Sequence, residues 1–145
     1  GAKNVAESVT AENANAIISM EQIYAWNPDV IFITNFTKAM PNDLYTNAIA
    51  AHDWSEVKAV KDQQVYKMPL GIYRSYTPSA DTPLTLLWMA KKIYPERFAD
   101  IDLNKEVKDW YKDVFGVDIT DADVEGMFNP TVKGSANATV ETRAR

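Results

Sequence analysis

Residues 20–33, MEQIYAWNPDVIFI, decide the fold, because they contain a helix, a stop signal and a strand in direct succession. Ser19 opens a capping-box pattern, so a helix is predicted to begin at Met20. The helix must end before Pro28, since a proline disfavours helical geometry in the residue that precedes it. The apolar run Val30–Ile33 that follows is typical of a strand buried on both faces of a parallel sheet.

A second helix and a second strand follow, which gives the alternating order of a parallel α/β sheet. The helix is predicted to begin at Pro41, and its apolar residues recur with helical spacing as far as Ile49. His52 is interpreted as a helix-end histidine. Residues Val65–Met68 are predicted to form the second strand.

The C-terminal half is predicted to be helical. One helix has Asp81 as its cap and ends before Pro95, and another runs from about Asn104 to a glycine stop at Gly116. Thr120 can cap a last short helix, and the aromatic residues of these helices are expected to lie in the core. The fold class is therefore α/β, a Rossmann-like parallel sheet flanked by helices, with a helix-rich C-terminal half.

The domain organisation follows from the number of strands and from the composition of the C-terminus. Two strands make a poor core alone, so residues 1–128 are predicted to be a piece of something larger. Residues 129–145 are polar and nearly free of apolar side chains, and they are predicted to form a flexible tail.

Composition excludes several classes of function. The chain has 145 residues, and its 20 acidic against 15 basic side chains give a net charge of -5, which disfavours nucleic acid as a partner. It has no cysteine and one histidine, so thiolate metal sites and paired-histidine sites cannot be built. We also find no glycine-rich phosphate loop, and we predict a protein that is not an enzyme, with no catalytic residue and no cofactor.

Four segments of the chain form a recognisable set: the opening GAKNV (1–5), the helix, Asn-Pro-Asp turn and strand (20–33), the Trp, Ala-Val-Lys and Val-Tyr motifs (54–66), and the helix that ends in Tyr-Pro-Glu (87–98). With these segments the chain resembles the C-terminal lobe of class III periplasmic binding proteins, which deliver metal chelates such as ferric siderophores to ABC importers. The resemblance covers roughly residues 1 to 128 in register, and it implies that these residues are a C-terminal lobe that is incomplete at its N-terminus.

The resemblance implies a receptor with two lobes, of which this chain is a part. Its partners would be the missing N-terminal lobe, a metal-chelate ligand held between the lobes, and the transmembrane subunits of an ABC permease. It further implies an extracytoplasmic location, in the periplasm or on a membrane-anchored lipoprotein.

Glu21 matches the glutamate with which this family docks on its permease. A helix that precedes a parallel strand runs antiparallel to it, so Glu21 is expected at the carboxyl edge of the sheet. Alternatively, Glu21 only complements the positive end of its own helix.

The candidate ligand-binding residues lie in the two loops that follow the strands, because open α/β sheets bind ligands at that edge. A guanidinium suits a negatively charged ferric complex, and aromatic rings can pack on a chelator. An equally good interpretation of the arginine is a surface residue that stacks on neighbouring tyrosines. Relatives often have a tryptophan where Ser75 stands, which argues against a flat ligand such as haem. The candidates are Asn35, Phe36, Tyr73, Arg74 and Tyr76.

Two rival functions remain open. The same α/β architecture hosts metal-cofactor enzyme subunits, because fold alone does not assign function. A transport-derived module that serves only protein recognition is the other possibility, and in that case Glu21 would matter and the tyrosine loop would not.

Overall fold

The computed structural model describes residues 1–10, 16–75 and 77–135. Its contacts divide the chain into two compact units, the described residues of Gly1–Phe32 with Ala39–Tyr66, and those of Ile33–Lys38 with Lys67–Arg145. The elements in chain order are α1 (Met20–Trp26), β1 (Ile31–Ile33), α2 (Pro41–Tyr45), α3 (Lys58–Lys61), β2 (Val65–Lys67), α4 (Thr82–Ile93), a short 3-10 helix (Pro95–Phe98), α5 (Leu103–Phe115), α6 (Asp121–Phe128) and α7 (Val132–Ser135).

Helix α1 begins and ends where the sequence predicted. The hydroxyl of Ser19 accepts a hydrogen bond from the Gln22 amide at 3.3 Å, which satisfies one of the free N–H groups of the first turn. Asn27 ends the helix in a left-handed conformation, with φ of 40°. Its side-chain oxygen accepts from the Lys58 amide at 2.8 Å, so the same residue also caps the start of α3.

The two strands form a parallel sheet, which confirms the α/β fold class. The Ile31 amide donates to the Gln64 carbonyl at 3.0 Å, and the Met68 amide donates to the Ile33 carbonyl at 2.8 Å, which is the slanted pattern of a parallel ladder. The expected burial of β1 on both faces is wrong, since Ile33 alone is buried in this strand. A strand with a single described neighbour leaves part of its surface uncovered.

The second helix is shorter than predicted. It ends at Tyr45, because Asn47 takes a left-handed conformation with φ of 54° and its side-chain oxygen accepts from the Trp54 amide at 2.9 Å. Asparagine tolerates this conformation better than most residues, and its side chain competes with the helix for backbone partners. His52 consequently lies in an exposed loop, not at a helix end, with its ring Nδ1 3.0 Å from the Ala50 carbonyl.

Helices α5 and α6 of the second unit follow the predicted signals. Asp102 caps α5 through the Lys105 amide, and Gly116 ends it with φ of 67°. Thr120 caps α6 with the predicted geometry. The buried core of this unit is formed by residues from three helices. The predicted packing of aromatic side chains is confirmed for Trp110, Tyr111 and Phe128 and is wrong for Phe115, which is 36% exposed. The core residues are Leu84, Val107 and Val124, and they are surrounded by Leu103, Trp110, Tyr111, Ile119, Met127 and Phe128.

The first part of the predicted tail is folded. Pro130 is buried, and helix α7 follows it. A Cβ added to Gly134 would lie 3.1 Å from the Leu70 side chain, so α7 packs closely against the start of the loop after β2. Residues 136–145 lie outside the described residues, and a flexible tail there stays a prediction. Among the described helices, none has the length and apolar character needed to span a membrane.

Candidate functional site

The loops that follow β1 and β2 are tied together by Asn35. The side chain is fully buried, and its Nδ2 donates to the Met68 carbonyl at 2.7 Å. Its Oδ1 is buried as well and has no hydrogen-bond partner among the described residues. Asn35 therefore fixes the base of the site, and it lies too deep to offer its side chain to a ligand in this conformation.

Lys67, the last residue of β2, shapes the loop after β1. The residue is only 6% exposed, and its ammonium donates to the Thr34 carbonyl at 2.9 Å and to the Thr37 carbonyl at 2.8 Å. Burial of a cation costs free energy unless its donors are satisfied, and these two carbonyls satisfy two of its three N–H groups. The loop after β1 thereby surrounds the positive charge of the Lys67 ammonium.

Arg74 is held between the two loops by contacts on three sides. Its Nε donates to the Asn35 carbonyl at 3.1 Å, and its guanidinium lies 4.8 Å above the centre of the Phe36 ring. The Tyr73 ring lies 5.5 Å from the guanidinium, and a terminal nitrogen donates to the Tyr73 hydroxyl at 3.3 Å. Hydrogen bonding and ring stacking together fix the plane of the guanidinium before any ligand arrives.

Among the described residues, no carboxylate forms an ion pair with Arg74, whereas lysines form seven such pairs in other parts of the described chain. The remaining N–H groups of a half-buried guanidinium can donate hydrogen bonds to an anion that accepts in a bidentate manner. The site therefore combines two cationic side chains, the buried Lys67 and the half-buried Arg74.

The other sequence-predicted residues differ in exposure. Phe36 is half-buried beneath Arg74, whereas Tyr73 is 49% exposed at the tip of its loop. Tyr76 lies outside the described residues. Ser75 is buried, and its amide donates to the Pro69 carbonyl at 3.3 Å, so it closes the loop.

Three residues with a part in this site were not found from the sequence. The signal for Lys67 was present, since it shares a strand face with the buried Val65 and its charge therefore needed buried partners. Ile72, 53% exposed beside Tyr73, looks like an ordinary loop residue and gives no such signal. Asp81 was predicted to cap α4, and this prediction is wrong, because its side chain makes no hydrogen bond to the start of that helix.

The Asp81 side chain turns away from α4 and towards the loop after β2. It is 3% exposed, and Oδ2 accepts from the Ile72 amide at 2.8 Å and from the Tyr111 hydroxyl at 3.3 Å. The Ser79 hydroxyl donates to Oδ1. Burial, followed by the charge of Asp81, raises the pKa of Tyr111 to about 12, so this phenol keeps its proton and remains a donor.

Glu21 belongs to the first unit and is fully exposed in the first turn of α1. Hydrogen bonds from its own backbone N–H and then from the Ser19 hydroxyl lower the pKa of its carboxyl group. A charged carboxylate is thus presented to solvent at the start of the helix. Its expected place at the same sheet edge as the tyrosine–arginine loop stays a prediction.

The comparisons with known proteins agree on one family. The family model described as periplasmic binding protein matches residues 1–70. The molybdate-binding protein MolA of Haemophilus influenzae is 33% identical over 96 residues, which are 66% of this chain and 26% of that protein.

Solved structures of binding proteins also resemble the chain. A periplasmic solute-binding protein of Veillonella parvula matches with a TM-score of 0.73 and 38% identity over 77% of this chain and 34% of its own. Helicobacter pylori CeuE, in a complex with nickel and histidine, matches with a TM-score of 0.59 and 37% identity over 79% of this chain and 34% of its own.

The chain spans 26% of the curated relative and 34% of each of these two solved chains. The similarity in sequence and in structure confirms the resemblance that the four sequence segments indicated. Residues 1–70 match the periplasmic binding protein family, and the chain is similar in sequence and in structure to solute-binding proteins of this kind.

Proposed function

We propose that this chain is part of the C-terminal lobe of an extracytoplasmic solute-binding protein, and that it contributes one wall of a groove for an anionic metal chelate. A ferric siderophore is the ligand class we favour. The transport role is supported by the family match and by the binding-protein structures it resembles. We further propose residues 1–128 as the lobe segment, in a protein that is exported to the periplasm or anchored as a lipoprotein.

The preorganised Arg74 is the observation on which the choice of an anionic ligand rests. Its Nε is bound to the Asn35 carbonyl and its face is covered by the Phe36 ring, so the outer edge of the guanidinium remains for a ligand. A ferric complex with catecholate or hydroxamate oxygens offers negative oxygens to that edge and rings or methylenes to Tyr73. This is non-enzymatic binding, in which the groove holds its cargo without transforming it.

An oxyanion is the second candidate ligand. MolA is a molybdate-binding protein by name, and an arginine fork binds a tetrahedral oxyanion as readily as it binds a carboxylate. CeuE, by contrast, is named in a complex with nickel and histidine, which is a metal chelate. The exposed Ile72 and Tyr73 favour the larger, partly apolar chelate, because an oxyanion has no apolar surface to cover them.

Calorimetric titration of the full-length protein with three probes separates these ligands. The probes are the ferric complex of 2,3-dihydroxybenzoate, the nickel–histidine complex, and molybdate. We expect the ferric complex to bind most tightly, with a dissociation constant of about 1 μM or below. Tightest binding of molybdate would establish the oxyanion alternative, and binding of none would contradict the proposed ligand class.

We also propose that Glu21 docks this lobe on the permease. The support is its full exposure and its lowered pKa, which together present a permanent negative charge to a basic partner. A glutamate that served only its own helix dipole would have no effect on the permease.

A further inference from the structure

Asp81 has an unusual place for a residue that precedes a helix. It occupies the cap position of α4, yet its side chain makes no hydrogen bond to that helix. Instead Oδ2 accepts from the Ile72 amide at 2.8 Å and from the Tyr111 hydroxyl at 3.3 Å, while Ser79 donates to Oδ1. A cap is worth about 1 kcal/mol to a helix, so a buried carboxylate used elsewhere needs another explanation.

The loop on the other side of this carboxylate is tight. The Gly71 amide donates to the Tyr73 carbonyl at 3.0 Å, and Leu70 pairs with Arg74 across an isolated antiparallel bridge. A Cβ on Gly71 would lie 1.8 Å from Asp81 Oδ2, so only glycine permits the carboxylate to approach so closely. The conformation of the loop and the position of the Asp81 carboxylate therefore depend on each other.

The same loop tip presents side chains to solvent. Ile72 and Tyr73 are 53% and 49% exposed, although their backbone is fastened from behind by Asp81. The side chains at the loop tip are therefore carried on a main chain that Asp81 holds in place through the Ile72 amide.

We propose that Asp81 is a positioning residue of the ligand site, which holds the Ile72 amide and so fixes loop 70–74 with Arg74 over Phe36. Asp81 itself is buried and does not touch the ligand. The proposal rests on the proposed function, since the ligand that gains from a fixed Arg74 is anionic. A binding group gains affinity when its supporting contacts lock it in the bound geometry.

Two substitutions separate this role from mere burial. In Asp81→Asn the amide oxygen can occupy the Oδ2 position and accept from Ile72 and Tyr111, while its NH2 faces Ser79, whose hydroxyl can then accept. Asp81→Leu has a similar size but no acceptor. Asp102→Leu is the matched control, because it removes an aspartate that caps α5 in the ordinary way, through the Lys105 amide at 3.1 Å.

The first readout needs no ligand. Amide hydrogen exchange in the full-length protein is expected to be faster at Ile72 in Asp81→Leu, by roughly 10-fold or more for the loss of a hydrogen bond to a charged acceptor. Protection should return in Asp81→Asn and remain unchanged in Asp102→Leu. Unchanged exchange at Ile72 in Asp81→Leu would overturn the proposal, whatever the protein binds.

The second readout is a double-mutant cycle with Arg74→Gln, titrated with the ferric complex of 2,3-dihydroxybenzoate. Asp81→Leu is expected to weaken binding roughly 10-fold when Arg74 is present and less than about 2-fold when it is absent. Asp81→Asn should restore affinity, and Asp102→Leu should leave it intact. Equal losses in both backgrounds would overturn the positioning role, whereas no binding by the wild type would contradict the proposed ligand and leave the exchange experiment to decide the role of Asp81.

Discussion

The Nε of Arg74 lies 3.1 Å from the carbonyl oxygen of Asn35, and this hydrogen bond joins two loops that are 39 residues apart in the sequence. A second hydrogen bond joins the same loops, because the Asn35 side chain donates to the Met68 carbonyl at 2.7 Å. The arginine is therefore oriented by the backbone of the other loop, and the two loops form one surface before a ligand arrives. Preorganisation of this kind lowers the entropy cost of binding.

Asn35 is predicted to matter for the site without contacting the ligand. Asn35→Ala leaves the buried Met68 carbonyl without its donor, which should lower the free energy of unfolding by about 1–3 kcal/mol. Urea-induced unfolding of the full-length protein checks this. The loss would be smaller at an exposed residue of the same type, so Asn42→Ala in helix α2 is the control. An Asn35→Ala protein as stable as the wild type would show that this contact does not hold the loops.

Glu21 is predicted to act on transport and not on ligand binding. Glu21→Arg reverses a fully exposed charge, so ligand affinity should stay within about 2-fold while permease affinity falls roughly 10-fold or more. Binding to the permease reconstituted in nanodiscs is the measurement.

Glu106→Arg provides the matched control, because Glu106 is likewise an acid in the first turn of a helix, α5. A similar loss of permease affinity in both variants would mean that net charge, not Glu21, decides docking. Normal permease affinity in Glu21→Arg would remove the docking role.

The contact between Asp81 and Tyr111 predicts an alkaline transition. The folded-state pKa of Tyr111 is about 12 against an ordinary value of 10.0, so the folded state retains the phenolic proton more strongly than the unfolded state. Its contribution to stability is therefore fully present below pH 10.0 and is lost as the pH rises towards 12. Absorbance at about 295 nm and unfolding measured across this range should show the loss in the wild type and not in Tyr111→Phe. A Tyr111 that ionises at its ordinary pKa would contradict the contact.

The sequence predicted the elements whose signals are local. The Ser19 cap and Pro28 fix helix α1, and Gly116 and Thr120 mark helix ends in the second unit, because each acts through neighbours three or four residues away. The length of α2 was overestimated, because the apolar spacing continues past Asn47. The Asn47 side chain accepts a hydrogen bond from the Trp54 amide, and this contact lies outside the helix.

Long-range partners explain what the sequence could not show about the site. Asp81 was assigned to the helix beside it, because two of its partners, the Ile72 amide and the Tyr111 hydroxyl, lie 9 and 30 residues away along the chain. Lys67 could have been recognised as buried from its strand position, but not the Thr34 and Thr37 carbonyls that it binds. The loop residues were chosen for their chemistry, and their spacing gave no indication that Asn35 would be buried.

We propose Arg74 as the anion-binding group of this lobe, and the affinity of Arg74→Gln tests this role most directly. Arg97→Gln is the matched control, because Arg97 also stacks on a neighbouring ring, 5.6 Å above Tyr94, but belongs to the short helix after α4. Fluorescence titration of the full-length protein with the ferric complex of 2,3-dihydroxybenzoate should show binding weakened roughly 10- to 100-fold in Arg74→Gln, and unchanged in Arg97→Gln. Equal affinity of the wild type and Arg74→Gln would contradict the account.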